Sequence, residues 1–145
     1  MHWAVHPKVA TSLCGRVARG AVPTVRILVI DDDPNQVQIL LTCLHGDGYE
    51  VSAAHTGESG LAFIDRSQPD LVLLDIGLPG DMGGIEVLKR IRAVNPAVGV
   101  IMVTGNTDPR RARAALELGA LAYIDKPYDC AYLKRVVAMA LRGGV

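Results

Sequence analysis

The sequence has few cysteines, no long apolar run and no excess of charge. Its cysteines, Cys14, Cys43 and Cys130, are odd in number, far apart and without a CxxC pair, so we expect reduced thiols in a cytosolic protein. No apolar run approaches the roughly 18 residues that a membrane helix needs. Met1–Val25 also lacks the continuous apolar segment of a signal peptide. These absences predict a cytoplasmic protein that does not enter a membrane.

The charge balance and the length of the chain limit the possible binding partners and the number of domains. The 15 basic residues balance the 15 acidic ones, so no overall field recruits nucleic acid or anionic lipid. The first 25 residues are an exception, since they hold Lys8, Arg16 and Arg19 and no acid. We expect residues 1–25 to form a basic, disordered N-terminal extension and residues 26–142 to form one globular domain.

Short apolar runs alternate with helical patterns along the domain. The predicted strands are Val25–Ile30, Tyr49–Ala54, Leu71–Leu74, Val98–Val103 and Leu121–Ile124. The runs "LVLL" and "VGVIMV" are apolar without alternation, as expected of strands that are covered on both faces. Five such units in series predict an α/β fold, a parallel sheet with helices on both faces.

The helices between these strands have recognisable starts and apolar faces. The first predicted helix has one apolar stripe, made by Val37, Leu40, Leu41 and Leu44, and the last has another, made by Leu133, Val136, Val137, Ala140 and Leu141. Asp33 can cap the first helix, with Pro34 at its first position. Asp108 and Pro109 are expected to start the fourth helix and Gly119 to end it.

Reactive side chains follow four of the five predicted strands. They are Asp31, Asp32 and Asp33 after the first, Asp75 after the third, Thr104 after the fourth, and Asp125 and Lys126 after the fifth. Ligands of parallel α/β sheets bind outside the carboxyl ends of strands, so these groups should converge. Neighbouring carboxylates repel each other unless positive charge lies among them. The pattern therefore predicts positive charge, such as a divalent metal, among these acids at this edge, with Asp33 left as a helix cap.

Four segments resemble the receiver domain of two-component response regulators. They are "ILVIDDDP", "LVLLDIGLPG", "MVTG" and "AYIDKPYD", and the resemblance covers Arg26 to Leu141. The separations between Asp31 and Asp75 and between Thr104 and Lys126 are also typical of that family. The resemblance implies a doubly wound, flavodoxin-like sheet of five parallel strands in the order 2-1-3-4-5.

The resemblance also assigns a phosphoacceptor and a metal site. Asp75 corresponds to the aspartate that takes the phosphoryl group. Asp31 and Asp32 correspond to the acidic pair that holds Mg²⁺, completed by Asp75 and the backbone carbonyl of Gly77. Independently of the family, an aspartate carboxylate can attack phosphorus and form an acyl phosphate. Mg²⁺ suits carboxylate and carbonyl oxygens and offsets the repulsion between an anionic phosphoryl group and the acids.

The remaining roles follow from the same resemblance. Thr104 matches the hydroxyl that approaches the bound phosphoryl group, and Lys126 matches the ammonium that pairs with it. Tyr123 matches the aromatic switch position, and the Lys126–Pro127 bond is expected to be cis. Implied partners are a sensor histidine kinase or a histidine phosphotransfer protein, and a downstream protein that docks on residues 107–141. We expect a homodimer on phosphorylation to be possible, no binding of nucleic acid, and no conventional enzymatic activity.

Three other functions compete with this interpretation. The pair Asp31 and Asp33 has the DxD spacing of haloacid-dehalogenase-type phosphatases, in which Asp31 would be the nucleophile, but Asn35 stands where that motif has Thr or Val. A pseudo-receiver that only binds partners is a second alternative. A dinucleotide enzyme is disfavoured, because "DDDPN" and not GxGxxG follows the first strand.

Overall fold

A computed structural model describes residues 24–105 and 108–143 of the chain. Nearly all of the predicted extension, residues 1–23, therefore lies outside the described residues. Strands and helices alternate strictly in the described part. They are β1 (Arg26–Ile30), α1 (Pro34–Leu44), β2 (Glu50–Ala54), α2 (Gly57–Ser67), β3 (Leu71–Leu74), α3 (Gly84–Val94), β4 (Gly99–Thr104), α4 (Pro109–Glu117), β5 (Ala122–Asp125) and α5 (Cys130–Leu141).

The five strands form one parallel sheet in the order β2-β1-β3-β4-β5. Both the predicted topology and all five predicted strands are confirmed, and their ends differ from the prediction by at most one residue. In the register of the sheet, Ile30 lies opposite Ala54 on one side and Leu74 on the other, and Leu74 lies opposite Met102. The carboxyl ends of the strands thus meet at one edge.

Two apolar layers enclose the sheet. In β1, Leu28 and Ile30 pack into the layer under α2, α3 and α4, whereas Ile27 and Val29 pack into the layer under α1 and α5. All four residues are fully buried. Because both faces of the central strands are covered, their sequences lack polar alternation, as predicted.

Aspartate side chains fix where the helices begin. The amide of Asn35 donates to Asp33 Oδ1 over 2.9 Å, and the amide of Arg110 donates to Asp108 Oδ1 over the same distance. The predicted Asp33 cap and the predicted start of the fourth helix at Asp108 and Pro109 are confirmed, and each aspartate is followed by a proline in the first helical turn. Gly119 follows α4 with φ +102°, a left-handed conformation that glycine adopts without strain.

The prediction of reduced cysteines is wrong for two of the three. Cys43 near the end of α1 and Cys130 at the start of α5 form a disulfide, with their Cα atoms 5.2 Å apart. The two helices are neighbours on one face of the sheet, and the sequence separation of 87 residues conceals this proximity. Cys14 lies outside the described residues.

Within residues 24–105 and 108–143, the helices are all too short or too polar to cross a bilayer.

Candidate functional site

Three carboxylates meet at the carboxyl edge of the sheet. One oxygen each from Asp31, Asp32 and Asp75 lies within 4.8 Å of the others. Backbone pairing between strands brings them together: the amide of Asp75 donates to the carbonyl of Ile30 over 3.0 Å, and the amide of Asp31 donates to the carbonyl of Ala54 over 3.1 Å. The cluster is therefore a consequence of the strand order and register.

The three acids differ in their access to water. Asp31 is 2% exposed and Asp75 is 8% exposed, whereas Asp32 is open to solvent. Burial raises the pKa of Asp31, and the charge of Asp75 adds to that rise. Hydrogen bonds from the Lys126 side chain and the Asp33 amide lower the same pKa. The site thus concentrates negative charge in a place with little solvent to screen it.

Lys126 supplies positive charge within the cluster. Its Nζ lies 2.7 Å from Asp31 Oδ2 and 3.7 Å from Asp75 Oδ2. The amide of Lys126 donates to the carbonyl of Thr104 over 2.9 Å, which fixes the start of the loop after β5. The Lys126–Pro127 bond is cis, as predicted. One ammonium group therefore faces both buried carboxylates.

Thr104 and Tyr123 lie on the two strands at the β5 side of the site. Thr104 is the last residue of β4, buried, and opposite Asp125 in the sheet. Tyr123 lies on the edge strand β5 opposite Met102, half-buried against the layer under α2, α3 and α4. Burial raises the pKa of Tyr123, and the charge of Asp125 contributes to that rise. These positions are compatible with the predicted switching roles, which stay predictions.

The donor atoms at this edge suit magnesium. Carboxylate oxygens are hard ligands of the kind that Mg²⁺ prefers, and three of them converge here. Gly77 lies immediately beside the cluster, since its amide donates to Asp75 Oδ1 over 3.0 Å. Asp33 does not belong to the cluster, because its side chain caps α1 while its amide donates to Asp31 Oδ1.

Two residues near the site escaped the sequence analysis. His55 follows β2, and its Nδ1 lies 3.2 Å from the carbonyl oxygen of Asp31. Its position directly after a strand was the available signal. Tyr128 follows the cis proline, and its buried hydroxyl has no hydrogen-bond partner among the described residues. No sequence pattern predicts a buried, unpaired hydroxyl.

Replacement of Tyr128 by phenylalanine should make the protein less sensitive to alkali. Burial, with the charge of Asp31, raises the pKa of Tyr128 from 10.0 to about 12. Because the pKa is higher in the folded than in the unfolded state, the contribution of Tyr128 to the free energy of unfolding is fully present below pH 10. It is lost as the pH rises toward 12, because the unfolded state loses the phenol proton more easily. The wild type should therefore lose about 2 kcal/mol more than Tyr128→Phe between pH 7 and 12.

Urea unfolding at both pH values measures this difference. At pH 7 the variant should be equally stable or up to about 1 kcal/mol more stable, because it removes an unsatisfied buried hydroxyl. Tyr132→Phe is the matched control, since Tyr132 is 43% exposed in the first turn of α5. Parallel loss of stability in the wild type and in Tyr128→Phe would contradict the prediction.

The comparisons with known proteins agree with this geometry. The family described as response regulator receiver domain matches residues 27–138. Transcriptional regulatory protein ZraR of Salmonella typhimurium is 39% identical over 117 residues, covering 81% of this chain and 26% of that protein. DNA-binding response regulator MtrA of Mycolicibacterium smegmatis is also 39% identical over 117 residues, covering 81% of this chain and 50% of that protein. The chain thus spans at most about half the length of these curated relatives.

Solved structures give the same assignment. A response regulator receiver domain protein (CheY-like) from Methanospirillum hungatei superposes with a TM-score of 0.78 and 37% identity, over 82% of this chain and 94% of that one. The sheet order, the acidic edge and the family match over more than three quarters of the sequence all point the same way. This chain belongs to the family of response regulator receiver domains.

Proposed function

We propose that the chain is a phosphorylation-dependent signalling switch that accepts a phosphoryl group on Asp75. The donor would be the phosphohistidine of a sensor histidine kinase or of a histidine phosphotransfer protein. The observation that carries the proposal is the position of Lys126, whose ammonium lies within 4 Å of a carboxylate oxygen of both Asp31 and Asp75. An anion that arrived beside Asp75 would find this positive charge already in place.

The chief obstacle to the reaction is electrostatic. A phosphoryl donor is anionic, and Asp31, Asp32 and Asp75 would repel it. When bound by these carboxylates and the Gly77 carbonyl, Mg²⁺ supplies the positive charge that offsets this repulsion. The protein contributes a preorganised set of oxygens, so little reorganisation is needed when the donor arrives.

Asp75 is better placed than Asp31 to act as the nucleophile. A carboxylate oxygen of Asp75 attacks phosphorus as the P–N bond to the donor imidazole breaks, and the imidazole keeps the electron pair and takes up a proton from water. The Gly77 amide holds the other carboxylate oxygen, Oδ1, over 3.0 Å and so orients the group. Asp31 is less suited to this role, because its Oδ2 binds Lys126 at 2.7 Å and its Oδ1 accepts the Asp33 amide.

Lys126 and Thr104 would then stabilise the product. Lys126 Nζ lies 3.7 Å from Asp75 Oδ2, close enough to pair with a phosphoryl group there after a small movement away from Asp31. Thr104 would approach the same group with its hydroxyl. Its movement would leave space that the half-buried ring of Tyr123 can fill, which changes the surface of β5 and the adjacent helices.

The changed surface would pass the signal to a partner. We place the downstream contact on residues 107–141, of which residue 107 lies outside the described residues, and phosphorylation could also promote a homodimer there. Arg110, Arg111 and Arg113 of α4 are exposed on this surface. One relative is named as DNA-binding, and this chain matches half of it. For the residues described here we propose a protein partner and no nucleic acid.

Omission of Mg²⁺ tests the proposal directly. The protein, incubated with a small acyl phosphate and Mg²⁺, should gain one phosphoryl group that borohydride reduction and peptide mass spectrometry map to Asp75. An excess of EDTA should reduce the labelling to background, because the acids then repel the donor. Readdition of Mg²⁺ should restore it.

The mapped residue separates the alternatives. Labelling of Asp31 in place of Asp75 would support the haloacid-dehalogenase-type phosphatase and overturn our assignment. An absence of labelling from the acyl phosphate and from a panel of purified histidine kinases would favour the pseudo-receiver. Labelling of Asp75 that is insensitive to EDTA would contradict the proposed role of the acidic cluster.

A further inference from the structure

The disulfide between α1 and α5 joins one buried and one exposed residue. Cys43 is 5% exposed within the layer under the two helices, whereas Cys130 is exposed at the first position of α5. The Cα separation of 5.2 Å is typical of a disulfide, so closure needs no displacement of the helices. We therefore expect a dissolved thiol or disulfide to approach the pair from the side of Cys130.

The disulfide and the Lys126–Asp31 ion pair join the same two segments of the chain. Asp31 lies just before α1, and Cys43 lies at the end of that helix. Lys126 lies four residues before Cys130, at the other end of the loop that leads into α5. The ion pair joins the two segments at the sheet edge, where Lys126 Nζ lies 2.7 Å from Asp31 Oδ2. The disulfide joins the same two segments between the helices. A change at Cys130 thus acts on a short loop that carries the cationic side chain of the site.

We propose that Cys43 and Cys130 are a reversible thiol–disulfide switch, closed by low-molecular-weight disulfides such as glutathione disulfide, that fixes residues 126–130 and so positions Lys126. The expected reduced thiols and the observed disulfide are then the two states of one site. Its oxidation state would report on the redox balance around the protein.

The closing reaction uses two exchange steps. The Cys130 thiol loses its proton to solvent, and the resulting thiolate attacks the small disulfide and releases one thiolate. Cys43 then loses its proton and attacks the Cys130 sulfur, which releases the second small thiolate. The protein loses two electrons and two protons, and the small disulfide gains them as two thiols. Opening is the reverse, with an external thiolate attacking the Cys130 sulfur.

Closure of the disulfide should favour phosphorylation of Asp75. This expectation rests on the proposed function. A fixed loop keeps the Lys126 ammonium in the position it has beside Asp31 and Asp75, and preorganised charge accelerates reactions more than mobile charge does. Reduction frees the start of α5 and loosens residues 127–130. The Lys126 amide stays bound to the Thr104 carbonyl, but its side chain then spends part of its time away from the site. We expect the oxidised form to be labelled at Asp75 several-fold faster than the reduced form.

A thiol titration tests the switch without reference to phosphorylation. In a Cys14→Ser background, the protein is equilibrated at a series of ratios of reduced glutathione to glutathione disulfide and is then labelled with a maleimide. Both remaining thiols should disappear together while the protein stays monomeric. Hydrogen exchange of the amides in residues 126–133 should be several-fold slower in the oxidised form. Reduction should lower the melting temperature by roughly 10 °C, since the cross-link spans 87 residues.

Cys14→Ser/Cys130→Ser is the matched control, because it replaces a cysteine at an exposed position and cannot form the disulfide. At every glutathione ratio, its rates of amide hydrogen exchange and of phosphoryl labelling at Asp75 should equal those of the reduced form. Thiols that stay reactive at all ratios, disulfides that form only between molecules, or equal exchange in the two forms would overturn the switch. If neither form takes a phosphoryl group at Asp75, the proposed function fails, and the exchange difference then decides the switch alone.

Discussion

Replacement of Asp75 by asparagine should abolish phosphorylation and leave the fold intact. The side-chain amide that this substitution introduces is not a nucleophile toward phosphorus, so labelling by an acyl phosphate or a cognate kinase should fall to background. The substitution keeps an oxygen that can accept the Gly77 amide, as Asp75 Oδ1 does over 3.0 Å. It also removes a carboxylate that opposes Asp31, since the charge of Asp75 raises the pKa of that acid. The melting temperature should therefore be unchanged or a few degrees higher.

Asp33→Asn is the matched control for this variant. Asp33 is a neighbouring acid in the same run, but its side chain caps α1, and asparagine caps helices as well as aspartate does. Labelling and melting temperature should both stay close to those of the wild type. Phosphoryl incorporation into Asp75→Asn, mapped to another residue of the cluster, would contradict Asp75 as the acceptor.

The sequence predicted the site to the extent that the site depends on strand ends. Asp31, Asp75 and Lys126 each follow a strand of a parallel sheet, and the pairing of strands is enough to bring them to one edge. A single rule about where strands end therefore recovered most of the cluster. The same rule accounts for the position of His55, which follows β2 directly.

The sequence did not predict which residues of neighbouring helices contact each other. Cys43 and Cys130 are joined because α1 and α5 pack side by side in one layer, and their rotation about their axes decides which residues touch. An apolar stripe fixes that rotation only approximately: the stripe predicted for α1 included Leu41, whereas Cys43 is the more buried residue. The unpaired hydroxyl of Tyr128 has the same origin, since it depends on how the loop after β5 packs.

The two glycines before α3 illustrate a similar limit. Gly83 and Gly84 are adjacent and look equivalent in the sequence "DMGGIE". In the structure, Gly83 precedes the helix in open surroundings, whereas Gly84 lies directly against the backbone of Asp75 and Ile76. Only the packed fold shows that one of them lies against Asp75, the proposed phosphoacceptor.

Replacement of Gly84 by alanine should therefore damage both the fold and the site. A Cβ atom at this position would lie 2.6 Å from Ile76 Cα and 2.9 Å from the carbonyl carbon of Asp75. Backbone atoms cannot rotate out of the way as a flexible side chain can, so α3 and the strand end must separate. The amide of Gly84 also donates to the Ile76 carbonyl over 3.1 Å, and this bond would stretch. We expect a loss of about 3 kcal/mol or more in the free energy of unfolding, measured in urea.

Gly83→Ala isolates the steric cause. Its Cβ would come no closer than 3.9 Å to the Ile76 and Leu78 carbonyl oxygens, and its φ of −78° suits alanine. The loss of stability should stay below about 1 kcal/mol, the difference between glycine and alanine at a helix cap. Labelling at Asp75 should persist in Gly83→Ala and fall sharply in Gly84→Ala, even at temperatures where the latter remains folded. Equal stability of the two variants would mean that α3 can move away from Asp75 without cost, and that the start of α3 does not hold Asp75 in place.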